Sequence, residues 1–356
     1  MFKSISFIKK NAFIALGAFI SIWGFTSCHD NLVYENEGDC EPHYFVDFVF
    51  DKNMHFNDNH GIGADAFRAQ VNSVDVYFFN PETGEFVAHY SDKGDALRQI
   101  GYRLEVDVNP GEYDIIAWCG LADNEDHFTI PETVNHNSEL KCRMDRKVDE
   151  EGIVYSDRYL NAVFHGRTSH VYPDTEGEHT AHVYLTKDTN YIQLALQHRS
   201  GALDPDRFSV TIDDANGHLG HDNSILKDDQ IQYRPWSLRA GVADMGEIST
   251  KADETGNTTG FFVVELATSR LMADRKPYIT VTDKETGSQV FRLALVDYLL
   301  LMKSDRYAYM DNQEYLDRED EYEIMVFLEN KDDQGWVAVE IVINGWHIID
   351  NGQSTL

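Results

Sequence analysis

Short runs in which apolar and polar residues alternate recur from residue 44 to residue 343, with turn-forming residues between them. In Tyr102-Arg103-Leu104-Glu105-Val106-Asp107-Val108 the alternation is strict. Successive strand side chains point to opposite faces, so this run reads as a half-buried strand with its charges outward. Residues 44–50, 74–79 and 113–118 carry further strand signals. Asn80-Pro81-Glu82-Thr83-Gly84 joins 74–79 to 85–87 as a hairpin, and Asn109-Pro110-Gly111 marks another turn. Many short strands with Gly and Asn turns predict an all-β chain built of antiparallel sandwiches.

The plan recurs beyond residue 190. Tyr191-Ile192-Gln193-Leu194-Ala195-Leu196 corresponds to the opening strand, and Asp204-Pro205-Asp206-Arg207-Phe208 to the approach Ala64-Asp65-Ala66-Phe67. Residues 209–212, with Asp213-Asp214-Ala215-Asn216-Gly217 behind them, correspond to the first hairpin. A hairpin of 278–282 around Asp283-Lys284-Glu285-Thr286-Gly287 repeats the Glu-Thr-Gly turn. The shared order favours an internal duplication over the alternative that hairpin turns simply resemble one another. Residues 293–302 are too continuously apolar for a half-buried strand and predict a buried helical turn. Residues 321–327 and 336–343, separated by Lys331-Asp332-Asp333-Gln334-Gly335, predict a terminal hairpin.

The first segment points to export. Lys3, Lys9 and Lys10 precede an apolar run from Ala12 to Phe25, the right length for a signal-peptide core and short of the ~20 residues that span a bilayer. It ends in Phe25-Thr26-Ser27-Cys28, which resembles a bacterial lipoprotein box, although Leu is usual where Phe25 stands. In that reading Cys28 carries the acyl chains, such as palmitate, and the chain is cut before it. The alternative is an ordinary cleaved leader with an incidental Cys. Each buried methylene contributes ~0.8 kcal/mol, so several chains hold firmly where one is marginal. The organisation expected is a leader over 1–27, a flexible acidic tether over 28–43, and sandwiches over 44–188 and 189–356. The tether reaches ~50 Å at most. The chain after the leader has 356 − 27 = 329 residues, which suits two domains.

The charge narrows the partners. The net charge is −31, and the three leader lysines account for the only charges in 1–27, so the remainder carries −31 − 3 = −34. Nucleic-acid binding needs clustered Lys and Arg, which are not visible. An anionic membrane surface repels such a chain, so contact with a membrane falls to the lipid alone. With Cys28 acylated, Cys40, Cys119 and Cys142 remain, which allows at most one internal disulfide of unspecified pairing.

A search for chemistry yields little. His179 and His182 stand three apart on a strand, hence on opposite faces, and cannot easily share an ion. His218 and His221 read as exposed loop histidines. The oxygen-rich loop with Asp51, Asn53, Asn57, Asp58 and Asn59 lacks the EF-hand spacing. There is no nucleophile elbow and no Walker loop. No catalytic residue, metal site or cofactor is therefore assigned. Trp118, Trp336 and Trp346 read as core and Trp236 as exposed. Arg270 and Arg318 read as structural ion-pair partners linking strands.

Two blocks near the end carry a resemblance. Gln313-Glu314-Tyr315-Leu316-Asp317-Arg318-Glu319 and Ile343-Asn344-Gly345-Trp346, preceded by Ala267-Thr268-Ser269-Arg270-Leu271-Met272, resemble the fimbrillin-associated anchor family, the minor fimbrium anchoring subunits. The lipoprotein-box start and Asn109-Pro110-Gly111-Glu112-Tyr113 agree, so the resemblance covers essentially all of the chain after the leader. It implies two tandem transthyretin-like sandwiches and a non-enzymatic, surface-exposed outer-membrane lipoprotein. Such a protein fastens a polymeric fimbria to the cell and ends its growth, with the shaft subunit and accessory fimbrial proteins as partners. Trp346, Ile348 and Ile349 are the candidate residues for strand exchange or subunit contact, against the alternative of an ordinary last strand. A tip or accessory subunit, or a surface glycan-binding lipoprotein, is the other reading. The latter calls for exposed, coplanar Trp or Tyr on one face.

Overall fold

The structure, a computed structural model, describes residues 41–54, 65–123, 127–198, 201–244, 258–331, 335–343 and 346–348. Its first strands are β1 (His43–Val49), β2 (Ser73–Phe79), β3 (Phe86–Lys93), β4 (Leu104–Val106), β5 (Gly111–Cys119) and β6 (Phe128–Thr129). They continue with β7 (Cys142–Met144), β8 (Lys147–Val148), β9 (Val154–Ser156), β10 (Phe164–Tyr172) and β11 (Glu178–Lys187). Seven of these form one sheet in the order β3-β2-β5-β10-β11-β1-β4.

Alternation sets the inner face of β1, where Tyr44, Val46 and Phe48 are buried. In β5 every residue from Tyr113 to Cys119 is buried, so the strand is covered on both sides. One side, Tyr113, Ile115, Ala117 and Cys119, joins Val74, Val76, Phe78 and the β1 residues in a first core. The other, Ile116 and Trp118 with Tyr77 and Phe79, belongs to a second core shared with the rest of the chain. The sheet closes over the first core because β11 changes partners. Its residues 178–184 lie parallel to β1, whereas 185–187 pair antiparallel with β10.

The later strands are β12 (Thr189–His198), β13 (Phe208–Asp214), β14 (His218–Leu219), β15 (Ile231–Tyr233), β16 (Ser237–Asp244) and β17 (Thr258–Ser269). After them come β18 (Tyr278–Asp283), β19 (Gln289–Ala294), β20 (Glu321–Lys331), β21 (Gly335–Ile343) and β22 (Trp346–Ile348). They contribute to two six-stranded sheets, β16-β17-β12-β20-β21-β22 and β19-β18-β13-β15-β9-β8. The inward rows Ile192, Leu194, Leu196 of one and Val210, Ile212, Ile279, Val281 of the other meet in the second core. Strands β8 and β9 precede residue 189 yet extend the sheet of β13, and Pro42–Leu356 packs as one unit.

Among the described residues, three strand pairs are parallel: β1 with β11, β12 with β20, and β9 with β15. The expectation of purely antiparallel sheets is corrected on this point. The first strand of each half lies beside a late strand running the same way, which no local hairpin pattern can signal. β1 and β12 each have one parallel and one antiparallel neighbour. Asp65 caps the helix α1 (Ala66–Gln70), and Asp204 caps the turn Pro205–Arg207.

The hairpins at 74–87 and 278–294 form, as does the terminal one, β20 with β21. The apolar run past residue 293 becomes the helix α2 (Leu295–Leu301), with Leu295, Val296 and Leu299 buried. The expected turn at 213–217 does not make a hairpin. Asp213 and Asp214 continue β13, and Asn216 is buried, its amide donating to the carbonyls of Ser269 (3.1 Å) and Arg270 (2.9 Å). The predicted strand 102–108 shortens to β4, and the chain turns at Asn109-Pro110 before β5 begins at Gly111. No described helix is long and apolar enough to cross a membrane.

Gly120 ends β5 at φ 83°, and a Cβ there would sit 2.1 Å from the Ala162 carbonyl oxygen. Gly94 has φ 84° and open space around it. Left-handed backbone alone costs ~1–2 kcal/mol with a side chain, and forced overlap adds ~1–3 kcal/mol. Gly120→Ala is therefore expected to lower the denaturant midpoint clearly more than Gly94→Ala does. Equal losses in parallel denaturant titrations would contradict this account.

Candidate functional site

The block singled out near residue 315 folds as the helix α3 (Asn312–Arg318), started by Asp311, whose carboxylate accepts from the Glu314 N–H at 2.7 Å. Tyr315 and Leu316 enter the second core. The polar residues face a different task. Asp317 receives both arms of Arg270, Nε at 2.9 Å and Nη2 at 2.7 Å. Gln313 donates to the Leu271 carbonyl (3.1 Å) and to Asp317 (2.8 Å), and accepts from the Ala273 N–H (2.9 Å). Arg270 Nη1 donates to the Asn223 carbonyl at 2.7 Å, and Asn223 Nδ2 donates to Asp188 at 2.9 Å. Asp188 lies 3.8 Å from Arg270 Nε and is fully buried at the junction of β11 and β12.

These residues form one network. It joins the strand crossing at 187–190, the end of β17 and α3. Arg318 extends it, pairing with Glu314 at 2.9 Å and donating to the Asp51 carbonyl at 2.9 Å. Arg270 and Arg318 are thus structural ion-pair partners, but both act through α3 rather than between two strands. Sequence reasoning missed Asp188, because Lys187-Asp188-Thr189-Asn190 reads as a solvated turn. The available signal was charge complementarity between Arg270 and a nearby run of acids.

The network supports β20, which follows α3 directly, and β20 carries the terminal edge. Lys187 pairs with Asp320 just ahead of it, and the Tyr191 N–H donates to the Asp320 carbonyl at 2.8 Å. Beyond β21, β22 turns back antiparallel, pairing Ile343 with Trp346, Val342 with His347 and Ile341 with Ile348. Trp346 and Ile348 therefore lie together on the outermost strand of the sheet. Ile349 and Cys28 fall outside the described residues.

The family model for the fimbrillin-A associated anchor proteins Mfa1 and Mfa2 matches residues 36–352. The chain belongs to that anchor family. It is 24% identical over 353 residues to the minor fimbrium anchoring subunit Mfa2 of Porphyromonas gingivalis, covering 95% of each chain. Among solved structures, a candidate polysaccharide-binding protein of Bacteroides thetaiotaomicron is 30% identical at a TM-score of 0.70, over 88% of this chain and 100% of that one. The fimbrial anchor protein Mfa2 of Porphyromonas gingivalis shares the fold at a TM-score of 0.61 and 18% identity, over 87% of this chain and 100% of that one. The anchor family is structural rather than enzymatic.

The other predicted side chains fall as follows in this anchor-family chain. His182 Nδ1 pairs with Asp47 at 2.9 Å, and His179 Nε2 donates to the Thr175 carbonyl at 2.8 Å, so each points to its own partner. His165 Nε2 donates to the His221 carbonyl at 3.0 Å. Among the described residues, no group of three His, Cys, Asp or Glu could hold a metal ion. Asn57, Asp58 and Asn59 lie outside the described residues. Cys119 and Cys142 are free, buried thiols in different cores. Trp118 is fully buried, Trp336 packs against the second core, and Trp236 is exposed.

Burial pushes the Asp188 carboxyl up to about 7, against the opposing influence of Arg270 and Asn223. A carboxyl raised above its unfolded value binds its proton more tightly in the folded state. Its stabilisation is therefore complete below the unfolded pKa and lost as pH rises through about 7. His165, pushed down to about 4 by burial, acts only below its unfolded value of 6.5. Between about pH 4 and 7 the Asp188 contribution is expected to fall as pH rises and to level off above, so wild type loses stability relative to Asp188→Asn across that range, His165 acting equally in both. Thermal unfolding across that range reads the slope, and unchanged slopes would refute the assignment. Arg270→Met strands two buried carboxylates and is expected to cost ~3–5 kcal/mol in denaturant unfolding.

Proposed function

We propose that this chain fastens a fimbria to the outer membrane and limits its length, with acyl chains on Cys28 holding the membrane and the terminal edge holding the shaft. The observation that carries this reading is the position of β22, a three-residue outermost strand beside the hairpin of β20 and β21, which follows α3 and its Arg270–Asp317 pair. An outer strand presents unpaired N–H and C=O groups to which another subunit's strand adds by main-chain hydrogen bonds. Trp346, Ile348 and Ile349 are the residues in this role. The relative from Porphyromonas gingivalis is an anchoring subunit, which favours the shaft subunit and accessory fimbrial proteins as partners over a tip role.

The same reading takes residues 44–188 and 189–356 as two transthyretin-like modules. The matched pairing of β1 and β12 supports it. The net charge of −31 suits attachment by lipid rather than by attraction to an anionic surface.

Two variants separate the membrane end from the fimbrial end. Cys28→Ala is expected to abolish labelled-palmitate incorporation and move the protein from the membrane fraction to the medium, with the fimbriae. Deletion of 346–356 is expected to leave the protein on the membrane while fimbriae are shed and grow longer, as read by electron microscopy. Fimbriae that stay attached at normal length after the deletion would overturn the role of the edge.

A further inference from the structure

Tyr159, Tyr191 and Trp236 gather at one place on the surface, although 32 to 77 residues separate each from another. Tyr159 lies between β9 and β10, Tyr191 on the outward row of β12, and Trp236 just ahead of β16. The rings of Tyr159 and Tyr191 stack, centroids 5.5 Å apart at 18°. Trp236 meets Tyr159 at 5.1 Å and 74°. Tyr159 and Trp236 are 46% and 37% exposed. The cluster is held from beneath: the Tyr191 hydroxyl donates to the Leu160 carbonyl, and the Lys187 ammonium stands 5.1 Å from the Tyr191 ring centroid. Aromatic rings gain by burial, so folding alone does not account for two of them standing together in solvent.

Beside the rings the surface is hollow. A cleft of about 640 Å³ is lined by Tyr159, Tyr191, Gln70, Asn72, Asn161 and Glu321, with Lys187 and Ala162. A second hollow of about 280 Å³ shares Tyr159, Tyr191 and Glu321 and adds Gln193 and Glu323. The larger falls in the ~300–1,000 Å³ range of small-ligand sites. The two adjoin because the strands place them so. Tyr191 is opposite Glu321, and Gln193 is opposite Glu323 on the same outward face. Together the hollows make a trough that offers the rings of Tyr159 and Tyr191 beside amides and carboxylates, with Trp236 standing against Tyr159 outside the lining.

That division matches the two sides of a sugar. A pyranose ring presents polarised C–H groups on its faces and hydroxyls around its edge. Aromatic faces carry negative charge density and attract the former, while amide and carboxylate groups pair with the latter. Glu321 and Glu323 at the rim, in a chain of net charge −31, repel anionic ligands. A peptide strand finds no edge here, because β12 and β20 lie inside their sheet with neighbours on both sides. We propose that the trough lined by Tyr159, Tyr191 and Glu321 binds a neutral oligosaccharide of at least two residues. This goes beyond anchoring and does not depend on it, since the trough and the β22 edge use different residues.

The test uses the full chain in detergent on an array of neutral and acidic oligosaccharides, followed by calorimetric titration of the best neutral ligand. Wild type is expected to retain neutral glycans and not acidic ones. Tyr159→Ala and Glu321→Ala are each expected to weaken binding at least ~10-fold. Tyr184→Ala, an exposed ring on β11 outside the trough, is expected to leave affinity within twofold. Thermal unfolding of each variant accompanies the titration. Should Tyr159→Ala fail to fold, Glu321→Ala, at an exposed residue that lines both hollows, decides. Retention of no neutral glycan, capture of acidic glycans only, or full affinity in Glu321→Ala would overturn the proposal.

Discussion

The contact between Arg270 and the carboxylates of Asp188 and Asp317 is the constraint on which the later half of the fold rests. The chain runs from β11 to β12 with no exposed loop between them: Lys187, Asp188, Thr189 and Asn190 are all buried. An ionised carboxylate in such a place is costly unless a cation and hydrogen bonds accompany it. Arg270 supplies the cation, itself 2.7 Å from Asp317, and Asn223 supplies an N–H at 2.9 Å. The Asp188 N–H donates to the Val163 carbonyl at 2.7 Å, and Asn190 Nδ2 to the Ser269 carbonyl at 3.2 Å. Polar seams of this kind stabilise one arrangement against many, because any other leaves buried groups without partners. The benefit is therefore greater in specificity than in net stability.

The seam decides what can be built around it. With β12 fixed beside the end of β17 and the start of β20, both neighbours of the central strand are registered at one end. Tyr77, Phe79, Ile116 and Trp118 then share a core with Leu194, Phe262 and Ile324. Apolar burial of this extent supplies the driving force, but it is non-directional and does not choose a register. Hydrogen bonds and ion pairs do. Gln313 to Arg318, the run in which the sequence resembles the anchor family, thus act as a structural clamp.

Much of the fold was legible because its signals are local. Strict alternation at 102–108 placed Leu104 and Val106 inward, and the Glu-Thr-Gly turns gave two hairpins where Gly84 and Gly287 adopt φ of 73° and 69°. The continuous apolar run gave a helix. Parallel pairing was not legible, since β1 and β11 meet across more than a hundred residues. The buried Asp188 was hidden for the same reason: its partners Arg270 and Asp317 arrive from two distant segments, and composition around it is that of a turn. The exposure of Trp236 could be read from sequence, whereas its company, Tyr159 and Tyr191, depends on three elements brought together only in the folded chain.

Under the proposed anchoring role, load would reach differently held strands at the first and the last of the fold. A pull on the chain ahead of His43 acts along β1, whose seven residues from His43 to Val49 face β11 in parallel register. Pulled lengthwise, such bonds shear together instead of opening one at a time, and a further three pairs to β4 must break with them. The opposite end is graded. Strand β22 is held by three pairs to β21, β21 by eight to β20, and β20 by eight to β12, in parallel and beside the buried network. The outermost strand is thus the most weakly held and the most easily exchanged, and the strands behind it the most resistant. That order would let the proposed exchange at the edge proceed without loss of the core, forced unfolding being governed by unfolding rates.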